Sequence, residues 1–224
     1  MARIHGVAGE WARVKGAVLG LWPAFLGVFA AGVACASVVF ASVQWGALAL
    51  ALSLVWIVIA IMKGMRRVER FYKGARGEER VSWMLRQLPD RYHVFNDFVA
   101  GRAHVDHVVV GPAGVFAVET KNWRGVVTVE DDHVLVDGRL PSRSPLVQVR
   151  REAESVKSAL ARAGWAGPVT PVLAFASDTF KAHIAEVHGA VVMNSCELPK
   201  SFDTERVLIP QPELERLVSL MENL

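Results

Sequence analysis

Charge is missing from most of the first quarter of this chain. From Gly16 to Met62, about 47 residues, there is no Asp, Glu, Lys or Arg, whereas one helix needs only about 20 apolar residues to cross a bilayer. That length excludes a cleaved secretory signal, whose apolar core runs about 7 to 15 residues and ends at a small-residue cleavage site. It also exceeds one membrane helix, so two passes are expected, at about residues 16 to 38 and 43 to 63. A buried helical hairpin in a soluble protein is the competing reading, and the complete absence of charge stands against it. The break falls at "FASVQWG", where Ser42, Gln44 and Gly46 interrupt the run and Trp45 suits a membrane interface. Two passes leave no pathway for a transporter within one chain.

Cysteine is scarce as well. Cys35 lies in the apolar run and Cys196 far from it, without ligand spacing, so neither a disulfide nor a zinc site is implied. The seven histidines include no i, i+4 pair of the metalloprotease kind, and His107 reads as a polar neighbour of Asp106. No internal repeat and no low-complexity segment occurs.

The charges that are present are divided unevenly. Residues 1–73 hold eight basic against two acidic residues, a net +6, and residues 74–224 hold 17 against 20, a net −3, which together give the net +3 of the chain. The pI of about 9.1 therefore belongs to the apolar end and carries no argument for nucleic acid. Arg3, Arg13 and Lys15 precede the run, and Lys63, Arg66, Arg67, Arg70 and Lys73 follow it. By the positive-inside rule both ends face the cytoplasm, and the second cluster suits anionic lipid head groups. The expected organisation is a basic cytoplasmic N-terminus (1–15), a transmembrane hairpin (16–63), a basic juxtamembrane linker (64–73) and a cytoplasmic domain (74–224), a multi-pass protein of the cell membrane. Gly20, Gly27 and Gly32 would permit close helix contact and so a homo-oligomer.

The domain begins with "GARGEERVSWMLRQLPD", a helix with Val81, Met84, Leu85 and Leu88 on one stripe, stopped by Pro89. Glu78 falls on that stripe, where a carboxylate needs a partner, or in a first turn, where the helix dipole favours it. A strand is expected at residues 92 to 95. In "HVDHVVVGPAGVFAVETKNW", alternation puts Asp106, Val108 and Val110 on one face and Val115, Ala117, Glu119 and Lys121 on one face of the next strand. A tight turn at Pro112 and Ala113 pairs residue 111 with 114 and 110 with 115, which sets Asp106 opposite Glu119. Opposed β-carbons lie about 4.5 to 5.5 Å apart and like charges there repel. Lys121 neutralises one carboxylate; Mg²⁺ accepts one or two, together with waters and phosphate oxygens. A salt-bridge cluster on a solvated edge is the alternative, and the flanking valines argue instead for a central strand.

Downstream, "VVTVEDDHVLVDG" suggests two short strands around Glu130 to Asp132, and Leu146, Val149, Ala153, Val156 and Leu160 a helix over 145 to 163. "VTPVLAFA" and "AVVMN" read as strands, and "PELERLVSLMEN" as a closing helix with Pro212 in its first turn. The order is α/β, a central sheet flanked by helices.

Asp, a hairpin and Glu-x-Lys, after a helix containing a glutamate, resembles the PD-(D/E)XK nuclease core. "GARGEERV", "VDHVVVGPAGVFAVETKNWRG" and "SPLVQVRREAESVKSAL" resemble the nuclease-related domain family, NERD, over about residues 74 to 165. The resemblance implies a restriction-endonuclease-like core with a central mixed sheet and a divalent-metal-dependent nuclease. Asp106, Glu119 and Glu78 would hold Mg²⁺ or Mn²⁺. Lys121 would position water or stabilise the phosphate, and Gln148 would point into the site unless it is an ordinary exposed helix residue. Nucleic acid would be the partner, DNA in preference to RNA. Arg102, Arg124, Arg139, Arg143, Arg150 and Arg151 could line its path, and Trp123 could stack a base or pack in the core. The net negative domain favours the alternative of a catalytically silent module binding nucleic acid or a protein.

Overall fold

The computed structural model describes residues 1–40, 42–182 and 184–224. These form two units, one of residues Glu10–Ala75 and one joining Met1–Gly9 to Arg76–Leu224.

The first unit consists of α1 (Glu10–Phe40) and the part of α2 (Val43–Leu85) up to Ala75; the last turns of α2 belong to the second unit. The break between them lies where the sequence placed it; Ala41 is outside the described residues. Both helices are long and apolar enough to cross a membrane, and only 17% and 11% of their most apolar windows are buried. That exposure separates them from the core helices of a soluble protein. Both outrun the expected spans, because the flanks are rich in Arg, Lys, Glu and Met, all good helix formers. The expected linker at 64–73 is thus an unbroken part of α2.

Glycine decides how the hairpin packs. A β-carbon on Gly64 would lie 2.1 Å from the Gly20 carbonyl oxygen, and one on Gly27 would meet Ile57 at 2.6 Å. Two of the glycines expected to serve association are therefore used inside the hairpin, while Gly32 has open space around it. Pro23 lies within α1 and has no N–H for the Leu19 carbonyl four residues back. Arg67 replaces it, donating from Nη1 to that oxygen at 3.1 Å, and Trp56 Nε1 donates to the Pro23 carbonyl at 3.1 Å.

The second unit is a seven-stranded mixed sheet flanked by helices. Its strands are β1 (Arg3–His5), β2 (His93–Ala100), β3 (Ala103–Gly111), β4 (Gly114–Lys121), β7 (Val169–Phe175), β8 (Ile184–Val187) and β9 (Ala190–Asn194), in the spatial order β1-β2-β3-β4-β7-β9-β8. The pairs β1·β2, β4·β7 and β7·β9 are parallel and the others antiparallel. A separate hairpin, β5 (Val127–Glu130) and β6 (His133–Val136), turns at Asp131 and Asp132, both at positive φ. The helices are α3 (Pro145–Arg162), α4 (Leu198–Phe202) and α5 (Gln211–Glu222).

Alternation along the central strands divides the core. Val108, Val110, Val115 and Ala117 face α3 and α5, where Val156, Leu160, Leu214 and Leu217 are buried. Val109, Val118 and Val172 face the end of α2, at Val81 and Leu85, and α4. Gly111 is required by proximity: a β-carbon there would lie 2.1 Å from the ring of Tyr92, whose hydroxyl donates to the Phe202 carbonyl at 2.6 Å. The sequence assigned residues 1–15 to the N-terminal flank of the hairpin, yet Arg3–His5 is a strand of this sheet. Strands as short as β1 and β8 hold too few residues to show a period.

Candidate active site

The β3–β4 hairpin has the expected register. Gly111 pairs with Gly114 and Val110 with Val115, and the ladder continues to His107 and Val118. Asp106 and Glu119 are next in line. There a side chain takes over from the ladder, since Asp106 Oδ2 accepts the Thr120 N–H at 2.8 Å. Both strands are interior to the sheet and Glu119 is 4% exposed, so these charges do not form a cluster on a solvated edge. Strict alternation fails at this point, however. Asp97, which the β2–β3 register sets against Asp106, has φ of 50°. Phe95 with Phe98, and Val105 with Val108, are each three apart yet share one core.

Helix α3 closes the site from one face. Ser144 caps it, accepting the Val147 N–H, and four residues later Gln148 enters a hydrogen-bonded chain. Lys121 Nζ donates to Glu119 Oε1 and, at 3.0 Å, to Gln148 Oε1. Gln148 Nε2 donates to Glu119 Oε1 at 2.7 Å and to Glu152 Oε1 at 2.9 Å. Gln148 is thus half-buried and inward, not an ordinary exposed residue. Glu152 was missed in the sequence; its spacing of four from Gln148, on the stripe of Val149, Ala153 and Val156, was the available signal.

Residues 73–176 match the family model of the nuclease-related domain, NERD. The chain carries a nuclease-related domain. An uncharacterized protein of Bacillus anthracis is 32% identical to it over 33% of this chain and 38% of that protein, so the chain spans well under half the length of that relative. No solved structure matches the chain.

Within the nuclease-related domain, Glu78 comes from α2 and lies well inside that helix, which rules out the first-turn reading. Gly77 beside it explains the approach: a β-carbon there would sit 2.7 Å from Asn122 Cβ. We expect Gly77→Ala to displace Glu78; on the resemblance's expectation of a metal site, Mn²⁺ binding would weaken about tenfold, as loss of an outer support does, and calorimetric titration would show it.

Negative charge accumulates faster than Lys121 can offset it. Burial, then the charges of Asp97 and Glu119, push the Glu78 carboxyl up to about 7. Burial and the charge of Glu119 push Glu152 up to about 8. Asp106 is held well above the usual carboxylate range by desolvation, then by Glu119 and Glu78. Glu78 Oε2 and Glu152 Oε2 are buried without a hydrogen-bond partner. Among the described residues, no three His, Cys, Asp or Glu side chains are arranged to hold a metal ion as they stand. The donor set of Asp106, Glu119 and Glu78 nevertheless fits a hard divalent cation: all three are carboxylates, Glu78 carries an orphaned oxygen, and Mg²⁺ asks for only one or two of them.

Two neighbours have other tasks. Burial drives His107 down to about 3, so its ring is neutral, with Nδ1 2.8 Å from Asn96 Oδ1. Trp123 is half-buried and packs against Phe175 at the edge of the core, ring centroids 5.7 Å apart. Of the six arginines, Arg150 is half-buried and the others are exposed.

Proposed function

We propose that the chain is a membrane-anchored, divalent-metal-dependent nuclease that hydrolyses phosphodiester bonds of DNA, or of RNA, on the cytoplasmic face. The observation that carries this reading is the carboxylate excess around Asp106 and Glu119, with one lysine, inside a nuclease-related domain. Asp106 and Glu119 would hold Mg²⁺ or Mn²⁺, with Glu78 facing them. When bound, such an ion polarises a phosphate oxygen and acidifies water.

The protein's own residues supply the rest. Lys121 is a compact cation suited to the charge that develops on the phosphate. Gln148 fixes Lys121 and Glu119 with respect to each other, and Glu152 fixes Gln148. Without a cation Glu78 is held at about 7, and a bound divalent ion would favour its ionised form as a ligand. The cytoplasmic side follows from the basic flanks of the apolar run.

The net −3 of residues 74–224 favours a second reading, a silent module that recognises nucleic acid or a protein. Titration of the full chain in detergent with Mg²⁺ and Mn²⁺, followed by plasmid nicking in the same buffers, separates the two. The nuclease reading expects metal binding at least about tenfold weaker in Glu119→Gln, and metal-dependent nicking by the wild type alone. Binding without cleavage would establish the silent module; no binding would reduce the cluster to a salt bridge.

A further inference from the structure

Between α1 and α2 lies a half-open cavity of about 410 Å³. It lies where the charge-free run ends, and its lining combines apolar Leu19, Pro23, Trp56 and Ile59 with the cations Lys63, Arg66, Arg67 and Arg70. No acidic residue lines it, although Glu69 stands among these cations in the sequence. Arg67 is held in place by its bond to the Leu19 carbonyl, the acceptor that Pro23 leaves open. Arg70 donates only to the Arg66 carbonyl, and none of the four cations has an acidic partner among the described residues.

We infer that this cavity binds one anionic phospholipid from the membrane that holds the hairpin. The phosphate sits among the arginines, whose planar forks match phosphate oxygens, and an acyl chain lies along Pro23, Trp56 and Ile59. The inference rests on the hairpin spanning a membrane and is independent of the nuclease reading. Diffuse attraction to an anionic surface needs only exposed cations. Here the cations border an apolar pocket at the depth where apolar sequence gives way to charge, which selects an amphiphile with a charged head.

The full chain would be placed in nanodiscs of phosphatidylcholine containing a minority of phosphatidylglycerol, released, and weighed by native mass spectrometry. One retained phosphatidylglycerol per chain, in preference to phosphatidylcholine, is expected. Arg66→Gln with Arg70→Gln should weaken retention about 30-fold, the loss expected for two basic contacts at an anionic surface. Arg13→Gln with Lys15→Gln removes the same charge outside the cavity and should leave retention unchanged. Ile59→Trp keeps every charge and narrows the apolar wall, so it should also lower retention, and it decides the matter should the arginine pair fail to fold. Equal retention of both lipids, an equal loss in the Arg13 and Lys15 variant, or displacement of the lipid by inorganic phosphate would overturn the assignment.

Discussion

On the proposed nuclease reading, Asp106→Asn should abolish cleavage, by more than about 10³-fold, and at the same time raise the melting temperature of the metal-free chain. Both effects have one cause. Asp106 is half-buried, its carboxyl is held well above the usual range, and Glu119 and Glu78 act on it with like charge. Asparagine retains an oxygen for the Thr120 N–H and removes the repulsion. A gain of about 1 to 2 kcal/mol, or roughly 2 to 8 °C, is expected. The loss of activity follows from deleting an anionic oxygen donor. Lys121→Ala should also abolish cleavage, yet lower stability, because Glu119, 4% exposed, would lose the cation beside it while keeping its bond from Gln148. Breaking a buried pair costs about 3 to 5 kcal/mol. Circular dichroism and a scanning melt of each variant, beside a cleavage assay, check this. If Asp106→Asn destabilised the fold, Asp106 would be a structural residue.

The second large effect is on pH. A carboxyl whose folded-state pKa lies above its unfolded value stabilises the native state only while protonated. That stability is complete below the ordinary value of 4.5 and is lost as pH rises through the folded value, about 7 for Glu78 and about 8 for Glu152. The metal-free domain should therefore weaken between about pH 5 and 8, by an amount on the order of 3 kcal/mol. Hydrogen exchange of peptides covering β3 and β4, followed across that range on the full chain, reads the change locally. Glu152→Gln should flatten the profile and stabilise the domain at pH 8. Metal affinity should move the opposite way, rising with pH, because ligand carboxylates must give up their protons. A flat exchange profile would show that Glu78 and Glu152 are not strained by their surroundings.

Much of the fold was legible because its signals are short-range. The turn at Pro112 and Ala113 sets the β3–β4 register, and apolar spacing sets α3 and α5. Asp106, Glu119 and Lys121 were found because repeated acids interrupt a valine run. Gln148 was named only by resemblance, and Glu152 was passed over because a glutamate on a helix is ordinary until the partner of that face is known.

The sequence by itself determined that the first part of the chain forms two helices fit for a membrane. Forty-seven residues or so without charge admit few other solutions. It also determined that a hairpin would bring two carboxylates together. What only the tertiary structure decided are the contacts between distant segments. Arg3 pairs beside His93, Gly20 and Gly64 meet across the hairpin, and Glu78 approaches because Gly77 leaves room against Asn122. None of these has a local signature: each depends on which surface the rest of the chain presents, and composition and periodicity carry no record of that.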